Sequence, residues 1–123
     1  MITIVNDHPI SPVHLNKLCQ AWFGTFVKIV VDIEQNIIAV GGELHADAEA
    51  KLLEQGSKQC NIWGANYYPY KQSAEKRLEY TALINIRPGA DNPGMEIMSA
   101  EIRLKVKTLA EQLLLKPDDK LTL

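Results

Sequence analysis

Acidic side chains and one histidine give this chain its best candidate for a chemical site. Asp32 and Glu34 are two positions apart, and so are Glu43 and His45, a little further along. Residues two apart on a strand point to the same side of a sheet, so each pair could project to one face. Carboxylates held close together either raise one another's pKa for acid–base work or bind a divalent cation. We therefore treat these side chains as the start of a candidate polar site.

Two polar residues from a later part of the chain extend this candidate site. Asn85 and Arg87 are also two positions apart, in a segment that alternates between apolar and polar residues. An arginine there could hold a carboxylate-bearing ligand or partner, or it could pair with one of the acids. The candidate polar site consists of Asp32, Glu34, Glu43, His45, Asn85 and Arg87.

A metal is a weaker possibility at the same place. His45 and Glu49 are four positions apart, which is one turn of a helix, and Glu43 is nearby. A single His–Glu spacing is not specific, because metal motifs with two histidines and a third ligand carry far more information. The sequence leaves a divalent metal open and names only Glu43, His45 and Glu49 as ligands for it.

A predicted β-hairpin positions the first acids. Residues 26–35 alternate with a period of two and are rich in β-branched side chains, which is typical of a strand with one buried face. A two-residue turn at Gln35-Asn36 would place Glu34 opposite Ile37. The apolar face would then carry Val27, Ile29, Val31, Ile33, Ile38 and Val40.

The other face of the hairpin has two readings. The same register pairs Lys28 with Glu43 and places the small residues Ala39 and Gly41 opposite Asp32 and Val30, which leaves room for a ligand near the carboxylates. The alternative is a solvated sheet face with a Lys28–Glu43 cross-strand pair, which is common on antiparallel sheets. The sequence favours the solvated face.

The remaining segments complete one α+β domain. Residues 2–5 predict a strand, Ser11 and Pro12 begin a helix, and residues 47–55 predict a second helix. Residues 61–68 and 79–87 predict two more strands, and the repeat of Ile102, Val106, Leu109 and Leu113 predicts a last amphipathic helix. The order is β-α-β-β-α-β-β-α. The fold class is therefore a single α+β domain over residues 1–123, with a mixed, mostly antiparallel sheet of about five strands and three helices.

Two details of that fold are also predicted. The helices are expected to cover the apolar face of the sheet and to leave the other face partly open. The chain from about residue 117 is expected to be a loose tail, from which Leu123 could be removed with almost no effect.

Composition excludes several classes of function. The chain has 123 residues, of which 46% are hydrophobic, and a net charge of −2. A slightly acidic chain is a poor match for nucleic acid or an anionic membrane as its main partner. No export segment or membrane span is predicted, and the isolated Cys19 and Cys60 fit a reduced, cytoplasmic protein.

Five segments of this chain resemble a known family. They are VDIE at 31–34, GGELHADAE at 41–49, GSKQ at 56–59, NIWGANYYP at 61–69 and LINIRP at 83–88. The chain resembles the small prokaryotic proteins of the uncharacterised domain-of-unknown-function family 5674 over most of its length. The resemblance supports the domain boundaries, and it implies no activity, cofactor or catalytic residue.

Two classes of function follow from these observations. The first is a small ligand-binding, partner-binding or regulatory domain, which could associate with a protein partner or with itself through its open face or its aromatic 61–70 segment. The alternative is a small metal- or carboxylate-dependent enzyme, hydrolase-like, that uses the acidic hairpin cluster. No Walker, GxSxG, HExxH or GxGxxG motif is present. The sequence therefore favours the binding domain.

Overall fold

Five strands and three helices follow one another in the predicted order. The computed structural model describes residues 1–122, and within them the α+β fold class is confirmed. The strands are β1 (Ile2–Val5), β2 (Val27–Asp32), β3 (Ile37–Gly41), β4 (Ile62–Tyr67) and β5 (Leu78–Glu79). The helices are α1 (Pro12–Ala21), α2 (His45–Glu54) and α3 (Ala100–Leu113).

The five strands form one sheet in the order β1-β3-β2-β4-β5, and all four pairings are antiparallel. The hairpin of β2 and β3 pairs Asp32 with Ile37 and Val31 with Ile38. The predicted register, with Glu34 opposite Ile37, was therefore wrong by two residues. Its two faces were nevertheless correct, because a shift of two residues returns every side chain to the same face.

The first face of the sheet packs against α1 and α3 as the apolar pattern predicts. Val27, Ile29 and Val31 lie in one large buried cluster with leucines of both helices. Ser11 caps α1 and Ser99 caps α3, each by accepting a hydrogen bond from a backbone N–H of the first turn. Of the predicted stripe on α3, Val106, Leu109 and Leu113 are buried and Ile102 is half-buried.

The second face of the sheet is covered, contrary to the prediction of a partly open face. Helix α2 lies on it, and Val30, Ala39, Ala48, Leu52 and Ile62 form a second buried apolar cluster. Asp47, in the first turn of α2, accepts a hydrogen bond from the backbone N–H of Leu44 at 3.1 Å and so fixes the start of the helix. A helix can pack on this face because Val30 and Ala39 are apolar, although the face was predicted to be polar.

The predicted strand over residues 79–87 was too long. Only Leu78–Glu79 pairs with β4, and the chain then makes a short 3-10 turn at Leu83–Asn85. Beyond β5, the backbone at the edge of β4 forms hydrogen bonds with side chains instead of with a strand. Asn85 accepts a hydrogen bond from the N–H of Gly64 and donates one to its carbonyl, both at 2.9 Å.

The segment expected to be a loose tail is attached to the domain at several points. Arg77 donates hydrogen bonds to the carbonyl oxygens of Lys116 and Asp119, at 3.2 and 2.6 Å. Leu121 is buried in the large core cluster. Leu123 lies outside the described residues.

Candidate functional site

Asp32 is the anchor of the β2–β3 loop. It is 0% exposed, and one carboxylate oxygen accepts hydrogen bonds from the backbone N–H groups of Glu34 and Gln35, both at 2.9 Å. The other oxygen accepts from the Ser57 hydroxyl at 2.7 Å and from the Gln35 amide at 3.0 Å. Burial alone would raise the pKa of Asp32, but the hydrogen bonds together outweigh it and hold this pKa below its usual value. The carboxylate is thus fully used in holding the loop.

The other two hairpin acids lie on the surface. Glu34 and Glu43 are exposed, and the predicted Lys28–Glu43 side-chain pair is absent among the described residues. Lys28 donates instead to the backbone carbonyl of Glu43, at 2.8 Å. The acids therefore do not surround a common point.

Asn85 and Arg87 line the edge of β4. Asn85 is 0% exposed and also donates to the Met95 carbonyl at 3.0 Å. Arg87 donates to the carbonyl of Ile62, and its guanidinium carbon lies 4.6 Å from the centre of the Trp63 ring. Burial lowers the pKa of Arg87, while the Glu49 charge raises it. Both residues therefore have structural contacts that explain their positions.

The structure does not join the six predicted site residues into one cluster. Apart from the Glu34 backbone N–H that donates to the Asp32 carboxylate, no hydrogen bond or ion pair connects any two of Asp32, Glu34, Glu43, His45, Asn85 and Arg87 within residues 1–122. The same part of the chain has no group of three or more His, Cys, Asp or Glu side chains placed to hold a metal ion. Of the three ligand candidates, Glu43 is exposed, Glu49 is half-buried and His45 is buried.

One of the six, His45, lines a cavity of about 280 Å³ at the start of α2. The cavity lies between this helix, the sheet and the turn at Leu83–Asn85. Most of its wall is apolar, and the polar side chains that reach it come from β2, α2 and β4. Its lining residues are Phe26, Lys28, Leu44, His45, Ala46, Asn66, Ala82, Leu83 and Ile84.

His45 is held in the wall of this cavity as a neutral ring. Its Nε2 atom lies 2.8 Å from the carbonyl oxygen of Ala65, so Nε2 donates the proton and Nδ1 keeps a lone pair. Burial is the main cause that lowers the pKa of His45. The Ala65 hydrogen bond raises it, the Lys28 charge lowers it and the Asn66 side chain raises it, with a net lowering. The Nδ1 atom of His45 is therefore a hydrogen-bond acceptor near neutral pH.

Lys28 is a half-buried cation in the same wall. Its Nζ atom uses one of its donors on the Glu43 carbonyl and lies 5.1 Å from the centre of the Phe23 ring. No carboxylate forms an ion pair with Lys28 within the described chain. An ammonium group has three donors, so Lys28 has donors left for a ligand.

Asn66 contributes a buried oxygen atom. Its side-chain nitrogen donates to a carboxylate oxygen of Glu79 at 2.7 Å, which fixes the orientation of the amide because a carboxylate only accepts. The Oδ1 atom is then buried, and although the Asn66 amide is close enough to His45 to raise its pKa, no donor in residues 1–122 reaches Oδ1 with hydrogen-bonding geometry. Glu49 Oε2, Trp63 Nε1 and Arg87 Nη1 are also buried without a partner in the described chain, and of these four atoms only Asn66 Oδ1 belongs to a residue that lines this cavity. A ligand is one way to satisfy such an atom.

The mouth of the cavity is apolar and exposed. Leu44 is 55% exposed and Leu83 is 70% exposed. Next to it, Phe26 stacks between Phe23 and Tyr68, with ring centres 4.7 and 5.0 Å apart. Large exposed leucines at an opening favour an interaction site, because isolated apolar side chains gain stability when they are covered.

A second cavity, of about 390 Å³, lies between α3 and the β2–β3 loop. It is more open than the first and is lined by Ile33, Asn36, Leu104, Lys105, Thr108, Leu109 and Gln112. It has neither a buried histidine nor a buried unpartnered polar atom among its described lining residues. The cavity at the start of α2 is therefore the better candidate site.

Sequence reasoning included only one residue of this cavity, His45, among its site candidates. The predicted pairing with Glu43 gives Lys28 no part in a site, and the predicted strand over residues 61–68 gives none to Asn66. The segment around Leu83 was predicted to be a strand, and a strand would not turn over the sheet to line the cavity. A signal was available in the GGELHADAE and NIWGANYYP segments, which contribute His45 and Asn66.

Comparison with known proteins identifies the family. Residues 3–113 match the family described as "Protein of unknown function (DUF5674)", so the chain belongs to it. This match covers most of the chain and confirms the resemblance stated above. No curated protein and no solved structure matches the chain. No helix within residues 1–122 is long and apolar enough to cross a membrane.

Proposed function

We propose that this member of the DUF5674 family is a small-molecule-binding domain whose ligand occupies the cavity at the start of α2. The observation that supports this most is the convergence of Lys28, His45 and Asn66 on one largely apolar cavity. Few polar groups in an apolar cleft are typical of ligand sites, where the apolar wall gives affinity and the polar groups give orientation.

The size of the cavity suits a small metabolite rather than a large cofactor. At about 30 Å³ for each water-sized group, a volume of about 280 Å³ accommodates roughly nine non-hydrogen atoms. The hydrolase-like alternative needs carboxylates around a common point, and Asp32 is already saturated with hydrogen bonds. We therefore favour binding over catalysis.

We also propose a cytoplasmic location and a class of partner. Cys19 is buried and free and Cys60 is exposed and free, which fits a reducing cytoplasm. Leu44 and Leu83 could contact a protein partner or a second copy once a ligand is bound. The net charge of −2 argues against nucleic acid as the main partner.

Replacement of Ala46 by Phe should abolish ligand binding while the protein stays folded. Ala46 is an exposed residue of α2 that lines the cavity, so a larger side chain would fill the opening. The measurement is a thermal-shift screen of small organic acids, amides and alcohols, because any compound that binds the native state raises its melting temperature. Compounds that stabilise the parent should have no effect on Ala46→Phe.

The matched control is Ala50→Phe. Ala50 is also exposed on α2 but does not line the cavity. Both variants carry the same modest loss of helix propensity, so their unliganded melting temperatures should be similar. If Ala46→Phe responds to the same compounds as the parent, the proposed binding site is wrong.

A further inference from the structure

We infer that the ligand is a small organic carboxylate with a hydrocarbon body, and that Lys28 binds its carboxylate. This inference rests on the proposed function and specifies the chemistry of the same site. It begins from the electrical charge of the residues that line the cavity. Lys28 is the only charged residue among the lining residues, and no acid lines the cavity.

The nearby acids are engaged elsewhere. The side chain of Asp47 accepts a hydrogen bond from Leu44 N–H, and Glu79 accepts one from Asn66. Glu43 is exposed and reaches Lys28 only through its backbone carbonyl. The Lys28 ammonium has no acidic partner in the described chain and keeps donors free, so a ligand carboxylate could accept a charge-assisted hydrogen bond from it.

The apolar wall determines the rest of the ligand. Most of the other lining residues are apolar, and among them Ala82 is buried and Ile84 is half-buried. A second charge or a long polar chain would lose its hydration against these side chains. A short branched or aromatic hydrocarbon group would instead gain stability by leaving water.

Asn66 adds a second element of recognition. Its buried Oδ1 atom can only accept a hydrogen bond, and it has no partner among residues 1–122. A hydroxyl or amino group next to the ligand carboxylate would satisfy it. The ligand class is therefore a carboxylate with an adjacent hydrogen-bond donor and an apolar side chain.

Three matched compounds test this by isothermal titration calorimetry with the full chain at neutral pH. They are α-hydroxyisocaproate, its neutral amide α-hydroxyisocaproamide, and isocaproate, which lacks the hydroxyl. The acid should bind about tenfold more tightly than the amide, as a charge-assisted hydrogen bond predicts. Isocaproate should bind about fivefold more weakly than the hydroxy acid.

Three variants assign these differences to residues. In Lys28→Met the acid should bind about tenfold more weakly and the amide should be unchanged, which also shows that the variant is folded. Lys28→Arg should keep the preference for the acid, because the charge remains. In Asn66→Ala the hydroxy acid and isocaproate should bind equally.

Each contrary result has a distinct meaning. Equal binding of acid and amide to the parent overturns the carboxylate inference, while the cavity itself still stands if Ala46→Phe abolishes binding of both. A preference for the acid that survives in Lys28→Met overturns the assignment of Lys28. Absence of binding by all three compounds overturns this ligand class, and the broader Ala46→Phe screen then decides the proposed function separately.

Discussion

Replacement of Val31 by Asp is expected to leave the chain unfolded at room temperature. Val31 is 0% exposed, at the centre of the sheet between Ile38 and Trp63. An unpaired carboxylate there costs several kcal/mol, which is comparable with the whole stability of a small domain, about 5–15 kcal/mol. Circular dichroism and urea denaturation measure the effect.

The matched control for this change is Val13→Asp. Val13 is 66% exposed in the first turn of α1, where a negative charge interacts favourably with the helix dipole. This variant should differ from the parent by no more than about 0.5 kcal/mol. If the two variants melt at the same temperature, the assignment of the buried face is wrong.

Replacement of Asp32 by Ala should lower the free energy of unfolding by about 3 kcal/mol. The four hydrogen bonds to its carboxylate would be lost. One hydrogen bond to a charged group contributes about 1.5–3 kcal/mol, and because the four bonds share one carboxylate and the loop amides near the surface regain water, the expected loss equals that of one or two such bonds. Urea denaturation measures the difference.

The pH dependence gives an independent readout of Asp32. Its pKa is below the usual value in the folded protein, so its contribution to stability is present above the unfolded pKa, about 3.9. The contribution is lost as the pH falls through the folded pKa. The parent should therefore lose stability in acid more steeply than Asp32→Ala does.

Glu34→Ala is the control for Asp32→Ala. Glu34 is exposed in the same loop, so its removal should change stability by no more than about 0.5 kcal/mol. The opposite outcome would be an Asp32→Ala protein that is as stable as the parent but has lost ligand binding. That outcome would return Asp32 to the functional site and contradict its structural role.

Local patterns predicted most of the fold from the sequence. The period of two in β2 and the stripe on α3 predicted the buried faces, and Ser11 predicted the start of α1. The hairpin register was missed because Asp32 closes a four-residue loop, with Asn36 at a positive φ of 59°. A tight Gln35-Asn36 turn was the simpler expectation, and of the contacts that hold the longer loop the one with Ser57 comes from a distant part of the sequence.

The candidate site was much less predictable. The alternation of residues 79–87 resembles a strand, yet the Asn85 side chain replaces a strand's hydrogen bonds at the β4 edge. That replacement allows the chain to turn at Leu83 and close one side of the cavity. A cavity built from β2, α2, β4 and this turn depends on tertiary contacts that spacing in the sequence does not contain.

Binding of a ligand in the cavity at the start of α2 is tested most directly by NMR. The ¹⁵N-labelled parent protein is titrated with α-hydroxyisocaproate and its amide chemical shifts are followed. We expect saturable shifts at Leu44, His45, Ala46, Asn66 and Leu83. Shifts at saturation that are confined to the second cavity, between α3 and the β2–β3 loop, would contradict binding at the start of α2.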